Sequence, residues 1–331
     1  MKAIQHTSYA EVSESITLSE IEKPTISNDE VLIETYAASV NPLDLKVIKG
    51  KLKTRGNYKL PATVGYDVSG KIVEKGASVT NFNIGDELYA FVDKQGSFAE
   101  YVSVKENILS LKPKNLTFEE AASLPLVSLT AMQALKRGKL ESGDKILIHA
   151  GSGGVGSMAI QLAKAIGAYV YTTTSTANVD WVKALGADRV IDYKTEHYKA
   201  IVKDVDMVLD TLGNQYTEDA FKVIKKGGKV ITLVGPVDKE TANRMKLNLF
   251  AKLYLRWNRR KITKQIKQKS AYYSLLLMRA NPKQLNELTG FVESGQVKPI
   301  IDKVFPLKDA VNAILYVDKG RTKGKVVLKI K

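Results

Sequence analysis

The segment from Lys145 to Ile166 constrains this chain more than any other. Lys145-Ile146-Leu147-Ile148-His149 reads as a short buried strand, and Gly151-Ser152-Gly153-Gly154-Val155-Gly156 follows almost at once. Ser157 to Ile166 then reads as a helix closed by Gly167-Ala168. A G-x-G-x-x-G pattern alone says little; between an apolar strand and a helix it describes a dinucleotide-binding turn. Gly151 permits the tight turn, Gly153 lets backbone N–H groups approach a pyrophosphate, and Gly156 lets helix and strand pack closely. Ser152, Gly154 and Val155 complete the cradle, and the helix N-terminus adds partial positive charge for phosphates. The competing structural reading is a strand–helix turn in a flavodoxin-like fold that holds no nucleotide.

The texture around this turn is regular. Tyr169–Thr174, Arg189–Asp192, Asp206–Asp210 and Gly228–Val234 read as further strands, Ala271–Met278 as a sixth, and Asn178–Leu185 as a helix. Strands spaced by helices predict an α/β, doubly wound parallel sheet of Rossmann type. Residues 1–120 are β-rich instead, with strands at Glu30–Tyr36 and Gly70–Lys75 and a helix capped by Thr117 and Glu120. A length of 331 residues suits two domains.

The residues after the second strand bear on which dinucleotide is bound. NAD enzymes usually place an acid there to hold the ribose 2′-OH. Here the sequence is Thr172-Thr173-Thr174-Ser175-Thr176-Ala177-Asn178, with no acid before Asp180. Hydroxyls and an amide accept a 2′-phosphate that a carboxylate would repel, which favours NADPH. Ser175, Thr176, Asn178 and Lys183 are the candidate contacts; Asn178 is equally suited to cap the next helix.

Composition excludes several classes. The chain has no cysteine and three histidines, His6, His149 and His197, far apart in sequence. Disulfides, thiolate nucleophiles and cysteine-ligated metals are therefore absent. No apolar run reaches the roughly 18 residues of a membrane span, and the N-terminus lacks the apolar core of a signal peptide. A cytoplasmic enzyme is the expectation.

Ala38-Ser39-Val40-Asn41-Pro42-Leu43-Asp44-Leu45-Lys46, Gly65-Tyr66-Asp67-Val68-Ser69-Gly70, Gly96–Tyr101, Ala121–Leu126 and His149–Lys164 occur in this order. In that series the chain resembles the medium-chain dehydrogenase/reductase superfamily, and within it the zinc-free quinone oxidoreductase and enone reductase branch. The resemblance implies a GroES-like catalytic domain over 1–123 and a Rossmann domain over 124–270. It assigns 271–331 to an edge strand and the return to the catalytic domain. It also implies an active site in the cleft between domains and a homodimer joined through the edge strand. The zinc-dependent branch has a Cys where this chain has Val40-Asn41 and a His-Glu pair where it has Tyr66-Asp67. No metal is expected.

Without zinc, a conjugated enone or a quinone is the easier acceptor, because hydride addition moves charge to an oxygen that one or two hydrogen-bond donors can hold. By resemblance, the Asn41 amide and the Lys46 ammonium are candidate donors, and Tyr66 a candidate cleft residue. Bland roles compete: Asn41-Pro42 as a turn, Lys46 as a solvated lysine, Tyr66 as structure. Thr130 matches a nicotinamide contact of relatives, or is a helix-interior threonine. Gly235 would let the backbone approach the cofactor, Tyr193 would pack near the adenosine end, and His149 reads as a core or supporting residue. Enoyl-thioester reduction is an alternative within the superfamily; an NADPH-binding RNA-binding protein or a redox sensor is the alternative outside catalysis.

Charge is uneven. From Thr241 to Asn286 there are twelve Lys and Arg and no Asp or Glu, so this segment carries +12 of a formal +15. Over Lys246–Lys269, Leu249, Leu253 and Trp257 recur at helical spacing beside Arg256, Arg260 and Lys264. The expectation is a helix with one face packed and one face basic. That basic face would be simply solvated, or would raise the local concentration of NADPH. Nucleic acid and membrane surfaces rank behind a small-molecule quinone or enone as partners.

Overall fold

The computed structural model describes residues 1–52 and 59–331. It divides into two compact units, residues 130–278 and residues 1–129 with 279–331.

Residues 130–278 carry a six-stranded sheet whose strands are all parallel. In chain order the strands are Lys145–Ile148, Tyr169–Thr174, Arg189–Asp192, Val205–Asp210, Ile224–Thr232 and Tyr272–Leu275. Across the sheet they run 3-2-1-4-5-6, the doubly wound order in which the direction of winding reverses beside the first strand. All six residues of Val205–Asp210 are buried, which explains why its centre, Met207–Leu209, is apolar without alternation. Leu147, Val208 and Val230 meet Phe221 and Ile262 in one core cluster. Truncating one such side chain to alanine costs about 2–5 kcal/mol.

Element edges differ from expectation for local reasons. The nucleotide-loop helix starts at Gly154 rather than Ser157; glycine is a poor helix former, but here the loop itself turns into the helix. The fifth strand starts at Ile224 rather than Gly228 and ends at Thr232. Ile224 pairs with Val205 and Lys229 with Met207, and an irregularity between them absorbs the intervening polar residues. The sixth strand is hydrogen-bonded to the fifth, so this unit runs from 130 to 278 rather than from the expected 124 to 270.

In the other unit a seven-stranded sheet is organised around Glu30–Val40. This long strand pairs with Asp67–Lys75, with Tyr101–Lys105 and with the C-terminal strand Lys325–Lys329. Two registers matter for chemistry: Ser39 lies opposite Asp67, and Val326 opposite Val40. Residues far apart in sequence thereby converge where the helix Pro42–Ile48 begins. A three-stranded sheet, Ile16–Glu20, Lys2–His6 and Ala62–Thr63, completes the unit. The Thr117 capping box forms as the sequence predicts: Glu120 N donates to Thr117 Oγ1 at 3.2 Å and Thr117 N to the Glu120 carboxylate at 2.8 Å.

Candidate active site

The glycine loop has distinct reasons for each glycine. A Cβ on Gly151 would lie 2.2 Å from Thr172 Oγ1, and one on Gly156 would lie 2.2 Å from Ala150 O. Both are therefore demanded by the protein's own packing. Gly153 is different: its φ of −81° and ψ of 166° suit any residue, and a Cβ there would meet only Ala150 O at 3.4 Å. Neither dihedral strain nor crowding requires this glycine. It sits at the N-cap of the 13-residue helix Gly154–Ile166 and supplies no side-chain cap. Such a helix start, with Ser152 and Val155 beside it, is suited to an anionic group, and the geometry fits a dinucleotide pyrophosphate.

The next two strands end beside it. Gly151 N donates to Thr173 O at 2.9 Å, and Tyr193 N to Thr174 O at 3.0 Å. Ser175, Thr176 and Tyr193 thus stand at the carboxyl ends of adjacent strands, the place where open α/β sheets bind ligands. Ser175 is half-buried, whereas Thr176, Lys183 and Tyr193 are exposed. Asn178 does not cap the following helix with its side chain. Its Nδ2 donates to Ser175 Oγ at 3.0 Å, and its Oδ1 accepts from Trp181 Nε1 at 3.1 Å. Strand three adds an acid that reading strand two alone missed. Asp192 lies beside Thr176, whose side-chain hydrogen bond holds its carboxyl below the usual range. Thr130 is nearly buried within the helix Pro125–Arg137. Gly235 has a reason other than the expected approach of cofactor: a Cβ would lie 2.8 Å from Thr232 Cγ2 and from Tyr273 Oη.

His149 is fully buried at the end of the first strand. Nδ1 is 3.2 Å from Thr173 Oγ1, and the ring meets Tyr198 and Tyr216 edge-on at 4.9 and 5.1 Å. Burial pushes its pKa down to about 4, against the pull of Asp210 and Asp219. The native state thus binds fewer protons than the unfolded chain between about pH 4 and 6.5. Stability is full above that window and falls as the pH drops through it. Thermal melts of His149→Gln should show a shallower decline from pH 6.5 to 4.5 than the unsubstituted chain. Parallel declines would mean that other groups set the acid sensitivity.

The first unit holds a buried ionic cluster that sequence reading only half found. Asp67 Oδ2 accepts from Ser39 Oγ at 2.9 Å, from Asn41 Nδ2 at 2.9 Å and from Lys325 Nζ at 3.2 Å. Asp67 Oδ1 accepts from Leu126 N at 2.9 Å. Asn41 Nδ2 also donates to Ser39 O at 3.2 Å, and its Oδ1 accepts from Lys325 Nζ. This corrects the reading of Asn41 as a substrate donor: the residue is fully buried and both amide hydrogens are used inside the protein. Asp44 holds the turn, accepting from Asn41 N at 2.7 Å. Burial pushes the Asp44 carboxyl up to about 7, and burial pulls the Lys325 ammonium down despite its acidic neighbours. Lys325 carried no local signal; it lies 258 residues from Asp67, and only strand pairing brings it in.

Lys46 is exposed, on the helix that this cluster anchors, and lines a cavity of about 280 Å³ with Pro42, Leu45 and Lys49. Tyr66 is buried and stacked on Phe91, rings 5.4 Å apart and 5° from parallel. Among the described residues no group of three His, Cys, Asp or Glu side chains is arranged to hold a metal. An amide, a carboxylate and a buried ammonium are no donor set for zinc, because the ammonium would repel a dication.

Residues 27–114 match the model of the alcohol dehydrogenase GroES-like domain, and residues 185–328 that of a zinc-binding dehydrogenase. Sheet order, glycine loop and these matches define a two-unit oxidoreductase with a Rossmann nucleotide domain. The 2-methylene-furan-3-one reductase of Solanum lycopersicum is 36% identical over 99% of this chain and 79% of its own length. The NADPH-dependent alkenal/one oxidoreductase of Arabidopsis thaliana matches to the same extent, 36% over 99% and 79%. The solved quinone oxidoreductase of Coxiella burnetii superposes with a TM-score of 0.85 at 34% identity, over 100% of this chain and 99% of that one. The chain belongs to the medium-chain dehydrogenase/reductase superfamily, in its quinone and enone reductase branch.

Proposed function

We propose that this protein reduces quinones and α,β-unsaturated carbonyls with NADPH, without zinc. The observation that carries the reading is Gly153, a glycine at a helix start that nothing in the chain's own packing requires. The family match supports it. NADPH, when bound, supplies the hydride. Gly153, Gly154 and Val155 hold the pyrophosphate through backbone N–H groups, Ser175 and Thr176 receive the 2′-phosphate, and Tyr193 covers the adenosine end. The exposed ammonium of Lys46 donates to the oxygen on which charge develops, and Tyr66 shapes the floor. Asn41 acts through the helix Pro42–Ile48, by anchoring the turn that carries Lys46. The same reading makes the protein a cytoplasmic homodimer joined through its edge strand, Tyr272–Leu275.

Steady-state oxidation of NADPH and NADH with a naphthoquinone and a small cyclic enone tests the reading. NADPH should be preferred, chiefly through KM. Ser175→Asp should shift that preference toward NADH by about tenfold or more, since it sets a charge against the 2′-phosphate. Lys46→Met should lower kcat with little change in the KM for NADPH. Oxidation of simple alcohols in place of acceptor reduction would overturn the reading.

A further inference from the structure

The basic segment does not pack as its pattern predicts. Two helices, Leu249–Asn258 and Arg260–Lys269, meet at Arg259. The second is seated: Ile262 is buried in the core cluster of the parallel sheet, with Ile266 packed against it. None of the ten residues of the first is buried. Leu249, Phe250, Leu253, Tyr254 and Trp257 are 68, 83, 52, 64 and 61% exposed. At about 100° per residue these five occupy one arc of roughly 140°. Arg256 and Lys252 lie along one edge of that arc, beside Leu249, and the Arg260 guanidinium lies 4.8 Å above the Trp257 ring. Asn248 caps the helix, its Oδ1 accepting from Ala251 N at 2.9 Å, so the element is formed without burying its apolar face.

We propose that the helix Leu249–Asn258 docks on an anionic phospholipid surface, its aromatic and aliphatic side chains entering the interface and its Lys and Arg meeting lipid phosphates. Charge complementarity selects this occupant. The charged residues of this helix, Lys252 and Arg256, are both cations, so two copies meeting through this face would set like charges together, which disfavours a two-fold contact there. A nucleic acid would use the cations but would leave Leu249 and Leu253 without a partner, whereas an interfacial helix uses both faces. Among the described residues no helix is long and apolar enough to cross a membrane, so the attachment is peripheral. Docking would bring the enzyme to the phase in which lipophilic quinones dissolve.

Flotation with vesicles of phosphatidylcholine alone, and of phosphatidylcholine with roughly one-third phosphatidylglycerol, tests the inference. The protein should float with the anionic vesicles, Trp257 fluorescence should shift to the blue, and high salt should release most of it. Phe250→Ser with Trp257→Ser should weaken partitioning by roughly tenfold or more. Failure to float with anionic vesicles would overturn the docking, as would undiminished flotation of the double variant. So would a wild-type dimer that ignores vesicles and becomes monomeric in the double variant, which would identify a second copy as the occupant. NADPH-dependent turnover of a small quinone in vesicle-free buffer should be equal in both proteins. It reports separately on the reductase reading, so a chain that turns over but does not float loses only the docking.

Discussion

Gly153→Ala should yield a folded protein that has lost most of its affinity for NADPH, while Gly156→Ala should fail to build a stable nucleotide unit. The two positions lie in one loop and differ only in what a methyl group would meet. At Gly156 the new carbon would lie 2.2 Å from Ala150 O, 2.8 Å from Ala150 C and 2.9 Å from Gly151 Cα. All three are backbone atoms, so no rotamer change relieves the clash. The turn and helix would have to separate, at a cost of about 3 kcal/mol or more. At Gly153 the nearest atom is 3.4 Å away, an ordinary contact, and the backbone there is extended. Melting temperature should therefore stay within a few degrees of wild type. The methyl group would instead occupy the space through which a pyrophosphate approaches the helix N-terminus. The Kd for NADPH should rise by about tenfold to a hundredfold, equivalent to about 1.4–2.8 kcal/mol. Thermal unfolding paired with a fluorescence titration of NADPH separates the two effects. A Gly153→Ala protein that binds NADPH as tightly as wild type would remove the observation on which the proposed function rests.

Lys325→Met should destabilise the first unit by about 3–5 kcal/mol, as expected when one member of a buried charge cluster is removed. The ammonium is 3.2 Å from Asp67 Oδ2, bonds Asn41 Oδ1 and reaches Val40 O at 3.2 Å. Methionine fills a similar volume but leaves Asp67 without a counter-ion, and leaves Asp44 without the attraction that opposes its burial. The pH dependence follows from the sign of the Asp44 shift. A carboxyl whose folded pKa is raised to about 7 takes up a proton more readily in the native state than in the unfolded chain. Its penalty is absent at low pH and grows as the pH rises through that value. Loss of the cation enlarges the penalty, so the gap between variant and wild type should be wider at pH 8 than at pH 6. Adding Asp67→Asn should recover much of the loss, because the remaining groups can then satisfy one another without net charge. Equal denaturation midpoints for wild type and Lys325→Met at pH 8 would show that the cluster contributes nothing to stability.

The sequence by itself determined the nucleotide domain. Strand, glycine loop and helix are contiguous, their contacts span a few residues, and local sterics leave little choice: a Cβ on Gly151 or Gly156 would strike atoms of the adjacent strand or of the same turn. The parallel strands were legible for a related reason, since burial on both faces favours short apolar stretches such as Met207–Leu209. The surroundings of Asn41 were not. Its motif marks a turn, but whether its amide faces a substrate or the interior depends on Asp67 and Lys325, brought in by strand registers that no local pattern encodes. Asp192 came to lie beside Thr176 in the same way, through the pairing of strands two and three. The helix at Leu249–Asn258 shows the converse limit. Helical spacing of Leu249, Leu253 and Trp257 specifies a face, and the sequence predicts that it packs. Only the tertiary structure decides whether anything covers it, because burial belongs to the surface that arrives from elsewhere in the chain; here the sheet engages the next helix, through Ile262, and leaves this one exposed.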